Sequence, residues 1–103
     1  MNAEFVLAGK KNDFTNLRGT GIELKGKRIC VARAEDTFYA FDDLCTHAEA
    51  MLSGGDIEDG EIACPLHGAR FDVKTGAAKT LPAYKPVKTY EVRIDGDHVF
   101  VKL

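Results

Sequence analysis

Two short segments in the middle of the chain combine cysteine with histidine, and their side chains could together hold a metal centre. The first is Cys45-Thr46-His47, and the second is Cys64-Pro65-Leu66-His67-Gly68. Each offers one thiolate and one imidazole, at a spacing that lets a loop aim both at one point. Pro fixes φ and Gly tolerates positive φ, which suits such a loop. The sequence therefore predicts four ligands: Cys45, His47, Cys64 and His67.

Other interpretations of these four residues remain open from the spacing alone. Two cysteines and two histidines are also a zinc ligand set, so a zinc-stabilised interaction module is a candidate. Common zinc sites group Cys with Cys and His with His, often with the histidines on a helix. Here each half is mixed and no helix presents the histidines. The four could also be unligated core residues.

Composition narrows the class of protein. The 103 residues carry a formal charge of -2, which argues against a nucleic-acid partner. Three cysteines are an odd number, which disfavours a disulfide framework. Met1 to Lys10 lacks a signal-peptide pattern, and no window approaches the roughly 18 apolar residues of a membrane span. We expect a cytoplasmic monomer with reduced or metal-bound thiols and no membrane partner.

Negative charge is concentrated between Ala34 and Glu61. This segment holds nine acidic residues and no Lys or Arg. It is either a solvated face or a docking surface for a basic partner.

Strand patterns and turn signals dominate the rest of the chain. Ile22 to Leu24 and Arg28 to Ala34 flank Lys25-Gly26 and predict a hairpin. Further strands are predicted at Thr37 to Phe41, Glu61 to Cys64, Arg70 to Val73, Lys88 to Ile94 and His98 to Leu103, the last two joined at Asp95-Gly96. We predict an all-β fold, an antiparallel β-sandwich or small barrel. It would form a single domain over residues 1–103, with an inserted binding subdomain at about 44–76.

The pattern C-x-H-x16-C-x-x-H resembles the signature of Rieske 2Fe–2S proteins. The run from Cys64 to Asp72 followed by Thr75-Gly76 resembles the second cluster loop of that family, and Leu81-Pro82-Ala83 resembles its third loop. The resemblance implies one 2Fe–2S cluster in a subdomain at one end of a β-sandwich. It also implies that Cys45 and Cys64 ligate the inner iron, and that His47 and His67 ligate the outer iron near solvent.

Two departures from the respiratory Rieske proteins narrow the resemblance. Those proteins carry an extra cysteine in each loop, whereas this chain has Leu66 at that position of the second loop, and its first loop continues as Ala48-Glu49-Ala50-Met51 without a cysteine. They also offer hydroxyls where this chain has Ala69 and Phe71. The chain is similar instead to the ferredoxins of bacterial ring-hydroxylating dioxygenase systems. That similarity implies a low-potential one-electron carrier, not an enzyme, between an NAD(P)H-dependent flavoprotein reductase and a terminal oxygenase.

Two related functions are alternatives. The Rieske domain of an oxygenase would need a following iron domain, and the sequence given ends at Leu103. An accessory subunit resembling the small subunit of nitrite reductase is the other; many of those lack cluster ligands, whereas all four candidates are present here.

Several further residues have a structural interpretation. Cys30 is expected as a buried free thiol, and His98 as a surface strand residue. Met51 and Leu52 could shield the cluster or fill the core, and we expect shielding. Pro82, Ala83 and Tyr84 could form an ordinary loop or cover the cluster, and the resemblance favours covering.

Overall fold

The computed structural model describes residues 4–44, 50–65, 68–80 and 85–103, and these ranges contain nine β-strands and one 3-10 helix. The elements are β1 (Phe5–Lys10), the 3-10 helix (Lys11–Asp13), β2 (Arg18–Leu24), β3 (Lys27–Ala34), β4 (Thr37–Asp42), β5 (Ile57–Glu58), β6 (Glu61–Ala63), β7 (Arg70–Asp72), β8 (Thr89–Asp95) and β9 (His98–Lys102). Across these ranges, no helix has the length and apolar character needed to cross a membrane.

The strands form one large and one small antiparallel sheet. The large sheet has the order β1-β9-β8-β4-β3-β2, and the small one has the order β5-β6-β7. Only Ala40↔Tyr90 and Phe41↔Thr89 pair β4 with β8, so the large sheet consists of two halves joined over a short stretch. Val31 from one half and Val101 from the other belong to one buried cluster, so the sheet curls around a shared core. The predicted all-β antiparallel fold is confirmed.

Two tight turns have the backbone conformation that their residue types favour in two-residue hairpins. Lys25 and Gly26 have φ of 49° and 82°, and Asp59 and Gly60 have φ of 54° and 75°. Positive φ at both central residues is the type I′ geometry that matches the twist of the flanking strands. The final hairpin differs from the prediction by one residue: Asp95 pairs with His98, so its turn residues are Gly96 and Asp97.

Three strand regions were missed from the sequence. β1 has apolar residues on both faces, so it lacks a polar alternation. β2 begins at Arg18 rather than at the predicted Ile22. Its first half was missed because Gly19 and Gly21 weaken the strand pattern in the sequence. β5 is only two residues long, although the Asp59-Gly60 turn that follows it is a recognisable hairpin signal.

The segment leading into the small sheet packs on the outer edge of β2. The Gly19 N–H donates to the Gly55 carbonyl at 3.0 Å, and the Gly54 N–H donates to the Gly19 carbonyl at 2.8 Å. A Cβ on Gly19 would lie 2.6 Å from both Cys30 Sγ and Ile62 Cδ1, which is a clash. Gly19 therefore permits the close packing of the small sheet against β2 and β3.

Candidate metal centre

Of the four predicted ligands, the structure describes Cys64. Its residue is 1% exposed, directly after β6, and its thiol forms no disulfide. Cys45, His47 and His67 lie outside the described residues, as do Leu66 and the segment 81–84 that holds Pro82, Ala83 and Tyr84. The described residues do show how the chain is held on either side of each of these segments.

The second loop, residues 65–68, joins β6 to β7. The Cys64 N–H donates to the Ala69 carbonyl at 2.7 Å, and the Gly68 N–H donates to the Cys64 carbonyl at 2.8 Å. Gly68 has φ of 74°, a conformation that glycine adopts without strain. Its predicted role as a positive-φ residue is confirmed. These bonds fix the backbone at the base of the loop, so Cys64 has a defined position.

The first loop, residues 45–50, is closed by pairing between the residues on its two sides. Leu44 and Met51 form an antiparallel bridge, and the Leu52 N–H donates to the Asp43 carbonyl at 2.6 Å. Leu52 is fully buried, whereas Met51 is 44% exposed. Cys45 therefore directly follows a residue that is held in register with Met51.

The third loop, residues 81–84, is held on both sides by the segment around β7. Before the loop, the Lys79 N–H donates to the Arg70 carbonyl at 2.8 Å, and the Arg70 N–H donates to Thr80 Oγ1 at 2.9 Å. After the loop, the Val87 N–H donates to the Gly76 carbonyl at 2.9 Å. A Cβ on Gly76 would clash with the Val87 carbonyl, and its φ is 79°. Gly76 is thus required for this contact.

The turn between β7 and Gly76 is stabilised by Asp72. Its Oδ1 accepts hydrogen bonds from the Lys74 N–H at 2.8 Å and the Thr75 N–H at 2.9 Å. The bond from the Thr75 backbone, followed by that from Lys74, lowers the pKa of the Asp72 carboxyl below its usual value. The predicted Thr75-Gly76 motif is therefore part of a hydrogen-bonded turn that presents Gly76 to Val87.

Residues beside all three loops belong to one buried apolar cluster. Leu52 follows the first loop, Cys64 and Ala69 flank the second, and Val87 follows the third. Phe71, fully buried, lies in the same cluster. The structure therefore brings the described residues beside the three loops into one cluster, although they are separated in sequence.

Cys30, the remaining described cysteine, is not a ligand candidate. It is fully buried in β3, and burial raises the pKa of its thiol, so it stays protonated. The prediction of a buried free thiol is confirmed. His98 is exposed on β9, also as predicted.

The acidic segment does not form one uniform face. Asp43 is buried, Asp42 accepts a hydrogen bond from Tyr90 Oη, and Asp56 and Glu61 form ion pairs with Arg18 and Arg70. Glu58 and Asp59 are exposed at the β5–β6 turn. The exposed negative charge of the small sheet is therefore greatest at this turn.

Cys64 supplies a buried thiol, and Leu52, beside the loop that carries Cys45 and His47, lies in the same buried cluster. With His67, these cysteine and histidine residues form a donor set that fits a 2Fe–2S cluster with mixed ligands. Within the residues that the structure describes, no three His, Cys, Asp or Glu side chains converge on a common point. This agrees with the sequence, since three of the four predicted ligands fall in the segments not described.

Comparison with known proteins identifies the family. The model of the Rieske [2Fe-2S] domain matches residues 4–91. The ferredoxin component of naphthalene 1,2-dioxygenase/salicylate 5-hydroxylase systems from Ralstonia sp is 46% identical over 103 residues, covering 100% of this chain and 99% of the relative. The match extends the resemblance seen in the sequence to β1 and β2.

Two solved ferredoxin structures are also similar to this chain. The ferredoxin of carbazole 1,9a-dioxygenase from Nocardioides aromaticivorans IC177 has a TM-score of 0.91 and 37% identity, covering 97% of this chain and 98% of that one. A ferredoxin described in complex with the oxygenase of carbazole 1,9a-dioxygenase has a TM-score of 0.88 and 31% identity, covering 98% and 94%.

A more distant neighbour bears on the alternative function. The small subunit of a putative NADH-dependent nitrite reductase from Mycobacterium tuberculosis has a TM-score of 0.86 at 19% identity, covering 98% of this chain and 96% of that one. Identity this low shows a shared fold alone. The family model that matches is described by a 2Fe-2S centre, which favours that cluster over zinc. The chain therefore belongs to the Rieske [2Fe-2S] domain family and carries one 2Fe–2S cluster.

Proposed function

We propose that this protein is the electron-carrying ferredoxin of an oxygenase system. It would accept electrons from an NAD(P)H-dependent flavoprotein reductase and deliver them to a terminal oxygenase. The observation that carries the proposal is the full-length similarity to ferredoxin components of dioxygenase systems. A bound 2Fe–2S cluster supplies reversible one-electron reduction. The chain holds it and governs which partners approach it.

The ligands in this proposal are Cys45, His47, Cys64 and His67, which match the family motif residue by residue. Cys45 and Cys64 would hold the inner iron, and His47 and His67 the outer iron. Burial of Cys64 supports an inner position, because water would be excluded from the thiolate side. A solvent-facing histidine edge would shorten the path for an electron to a partner protein.

We also propose that residues 44–76 act as a cluster-binding subdomain within a single domain over 1–103. The small sheet β5-β6-β7 supports this boundary, since it lies wholly within that range. The protein would act in the cytoplasm. It would be a monomer, because transient encounters with two successive partners require that the cluster end stay accessible.

Docking would combine apolar and acidic residues near the loops. Leu44 is 50% exposed and Met51 is 44% exposed, on either side of the first loop. Pro65, the first residue of the second loop, is also exposed. Glu58 and Asp59 add negative charge on the small sheet, which would steer a basic partner surface.

Reconstitution tests the proposal. The purified protein should contain two iron and two acid-labile sulfide per chain, as its one cluster requires. It should also restore NADH-driven turnover to a naphthalene-dioxygenase reductase and oxygenase supplied without their own ferredoxin. A protein loaded with its cluster that supports no transfer to such oxygenases, but restores electron flow to a nitrite reductase catalytic subunit, would favour the accessory-subunit alternative.

A further inference from the structure

Asp43 is the one charged residue among the described parts of the chain that is fully buried. Its carboxylate accepts three hydrogen bonds. The Ser53 N–H donates to Oδ1 at 2.7 Å, and both Ser53 Oγ and Arg28 Nη2 donate to Oδ2 at 2.9 Å. A buried charge is tolerated only when it is paired and hydrogen-bonded, so this arrangement is specific.

The backbone of Asp43 is fixed by the same neighbours. Its N–H donates to the Arg28 carbonyl at 3.2 Å, and its carbonyl accepts from the Leu52 N–H at 2.6 Å. One side of these contacts is β3, and the other is the segment that follows the first loop. Asp43 therefore joins the start of the first loop, its end and the large sheet at one point.

The neighbouring strand leaves room for these side chains. A Cβ on Gly21 of β2 would lie 2.7 Å from Arg28 Nη2, 2.7 Å from Ser53 Oγ and 2.8 Å from Asp43 Oδ2. Any larger residue at position 21 would displace at least one member. The absence of a side chain at Gly21 is thus required for the three polar groups to meet.

We propose that Asp43, held by Arg28 and Ser53, is a positioning residue that sets the geometry of the Cys45–His47 segment. Asp43 precedes Cys45 by two residues, and Ser53 lies shortly after the loop ends. The inference rests on the ligands proposed above. It goes beyond them by proposing that Asp43, Arg28 and Ser53, none of which is a ligand, help to retain the metal centre and to fix its ligand geometry.

Loss of the network has a defined consequence. Without the Arg28 or Ser53 donor, the two sides of the loop separate more readily while the folded sheet persists. The proposed ligands Cys45 and His47 would then be held less firmly by the flanking chain. The bound cluster would be lost faster, and the electron paramagnetic resonance lines of the reduced protein would broaden.

The test compares Arg28→Met, Ser53→Ala and Asp43→Asn with a matched control, Asp56→Asn. Asp56 forms an exposed ion pair with Arg18, so the control removes a carboxylate of the same region outside the network. Each network variant lacks hydrogen bonds to or from the buried carboxylate, so it should lose its visible absorbance ~10-fold faster with chelator present. Arg28→Lys keeps one charged donor and should restore most of the lifetime.

Each outcome decides the inference. Faster loss and broadened resonance lines in the network variants, with Asp56→Asn unchanged, support it. If Asp43→Asn fails to fold, Arg28→Met and Ser53→Ala carry the test, because Arg28 is half exposed and Ser53 retains its backbone bond. Lowered thermal stability with wild-type spectra and cluster lifetimes would overturn it. A wild-type protein without Rieske resonances would instead overturn the proposed function itself.

Discussion

The backbone N–H of Cys64 donates a hydrogen bond to the carbonyl of Ala69 at 2.7 Å. This bond continues the pairing of β6 with β7 by one step and closes the second loop between two buried residues. The position of Cys64 therefore depends on the small sheet, and changes at Ala69 act directly beside it.

The ligand assignment predicts a sharp spectroscopic difference between histidine and cysteine variants. His47→Ala or His67→Ala should abolish the Rieske absorbance and resonance spectrum, because each removes one iron ligand. Cys30→Ala is the control and should retain both, since Cys30 is buried as a thiol in β3. A Rieske spectrum that persists without either histidine would contradict the assignment.

Hydroxyl groups introduced beside Cys64 should raise the reduction potential. Ala69 and Phe71 are fully buried near the second loop and offer no hydroxyl. We therefore expect a native potential near the low end of the Rieske range, about −150 mV. A hydroxyl that donates to the cluster stabilises the more negative reduced state. A differential effect of about 1–2 kcal/mol corresponds to ~40–90 mV for one electron.

Voltammetry of Ala69→Ser and Phe71→Tyr checks this expectation. Ala40→Ser is the matched control, because Ala40 is 2% exposed but belongs to the other core cluster. A strongly positive native potential would argue against the low-potential class. Equal shifts in the control and in Ala69→Ser would show that the effect is not local.

We expect the stability of the protein to fall at alkaline pH as Tyr90 ionises. Burial, with the hydrogen bond from Tyr90 Oη to Asp42 Oδ1, raises the pKa of Tyr90 from 10.0 to about 12. The native state thus keeps a proton that the unfolded chain loses at lower pH. This contribution is complete below pH 10 and is lost as the pH rises toward about 12.

Tyr90→Phe isolates that contribution. The stability difference between wild type and variant should shrink between pH 10 and about 12, as followed by denaturant unfolding. Titration of phenolate absorbance in both proteins identifies the tyrosine that ionises last. If wild type and variant lose stability in parallel over this range, the Tyr90–Asp42 bond does not govern it.

Packing of the small sheet on β2 should depend on Gly19. Gly19→Ala places a methyl group against Cys30 Sγ and Ile62 Cδ1, and overpacking of this kind costs about 1–3 kcal/mol of unfolding free energy. Thr20→Ala, on the opposite face of the same strand, should cost less. Chemical denaturation measures both, and equal effects would contradict a special role for Gly19.

Electron transfer to the partner should slow as salt concentration rises, because screening over roughly 8–10 Å weakens steering by Glu58 and Asp59. The double variant Glu58→Gln/Asp59→Asn should reduce the second-order rate and flatten its salt dependence. Asp95→Asn/Asp97→Asn, at the β8–β9 turn, is the control. Stopped-flow rates that do not depend on salt would favour apolar docking through Leu44, Met51 and Pro65.

The sequence by itself determined the type of cluster and one of the hairpin turns. The mixed Cys–His spacing indicated the cluster, because those ligand types in two short loops match a Rieske motif. Lys25-Gly26 predicted its hairpin, because positive φ at both central residues is a local property of the chain. The free, buried state of Cys30 also followed from its strand context.

Only the tertiary structure decided which residues support that chemistry. Asp43 is one of nine acidic residues in its segment, and its burial depends on Arg28, which is 15 positions away in sequence. The need for Gly19 and Gly21 likewise arises from side chains of other elements. Periodicity reports which face of a strand is apolar, but a close approach between distant segments leaves no local pattern. For that physical reason, the hydrogen-bond network of Asp43, Arg28 and Ser53 could be identified only from the tertiary structure.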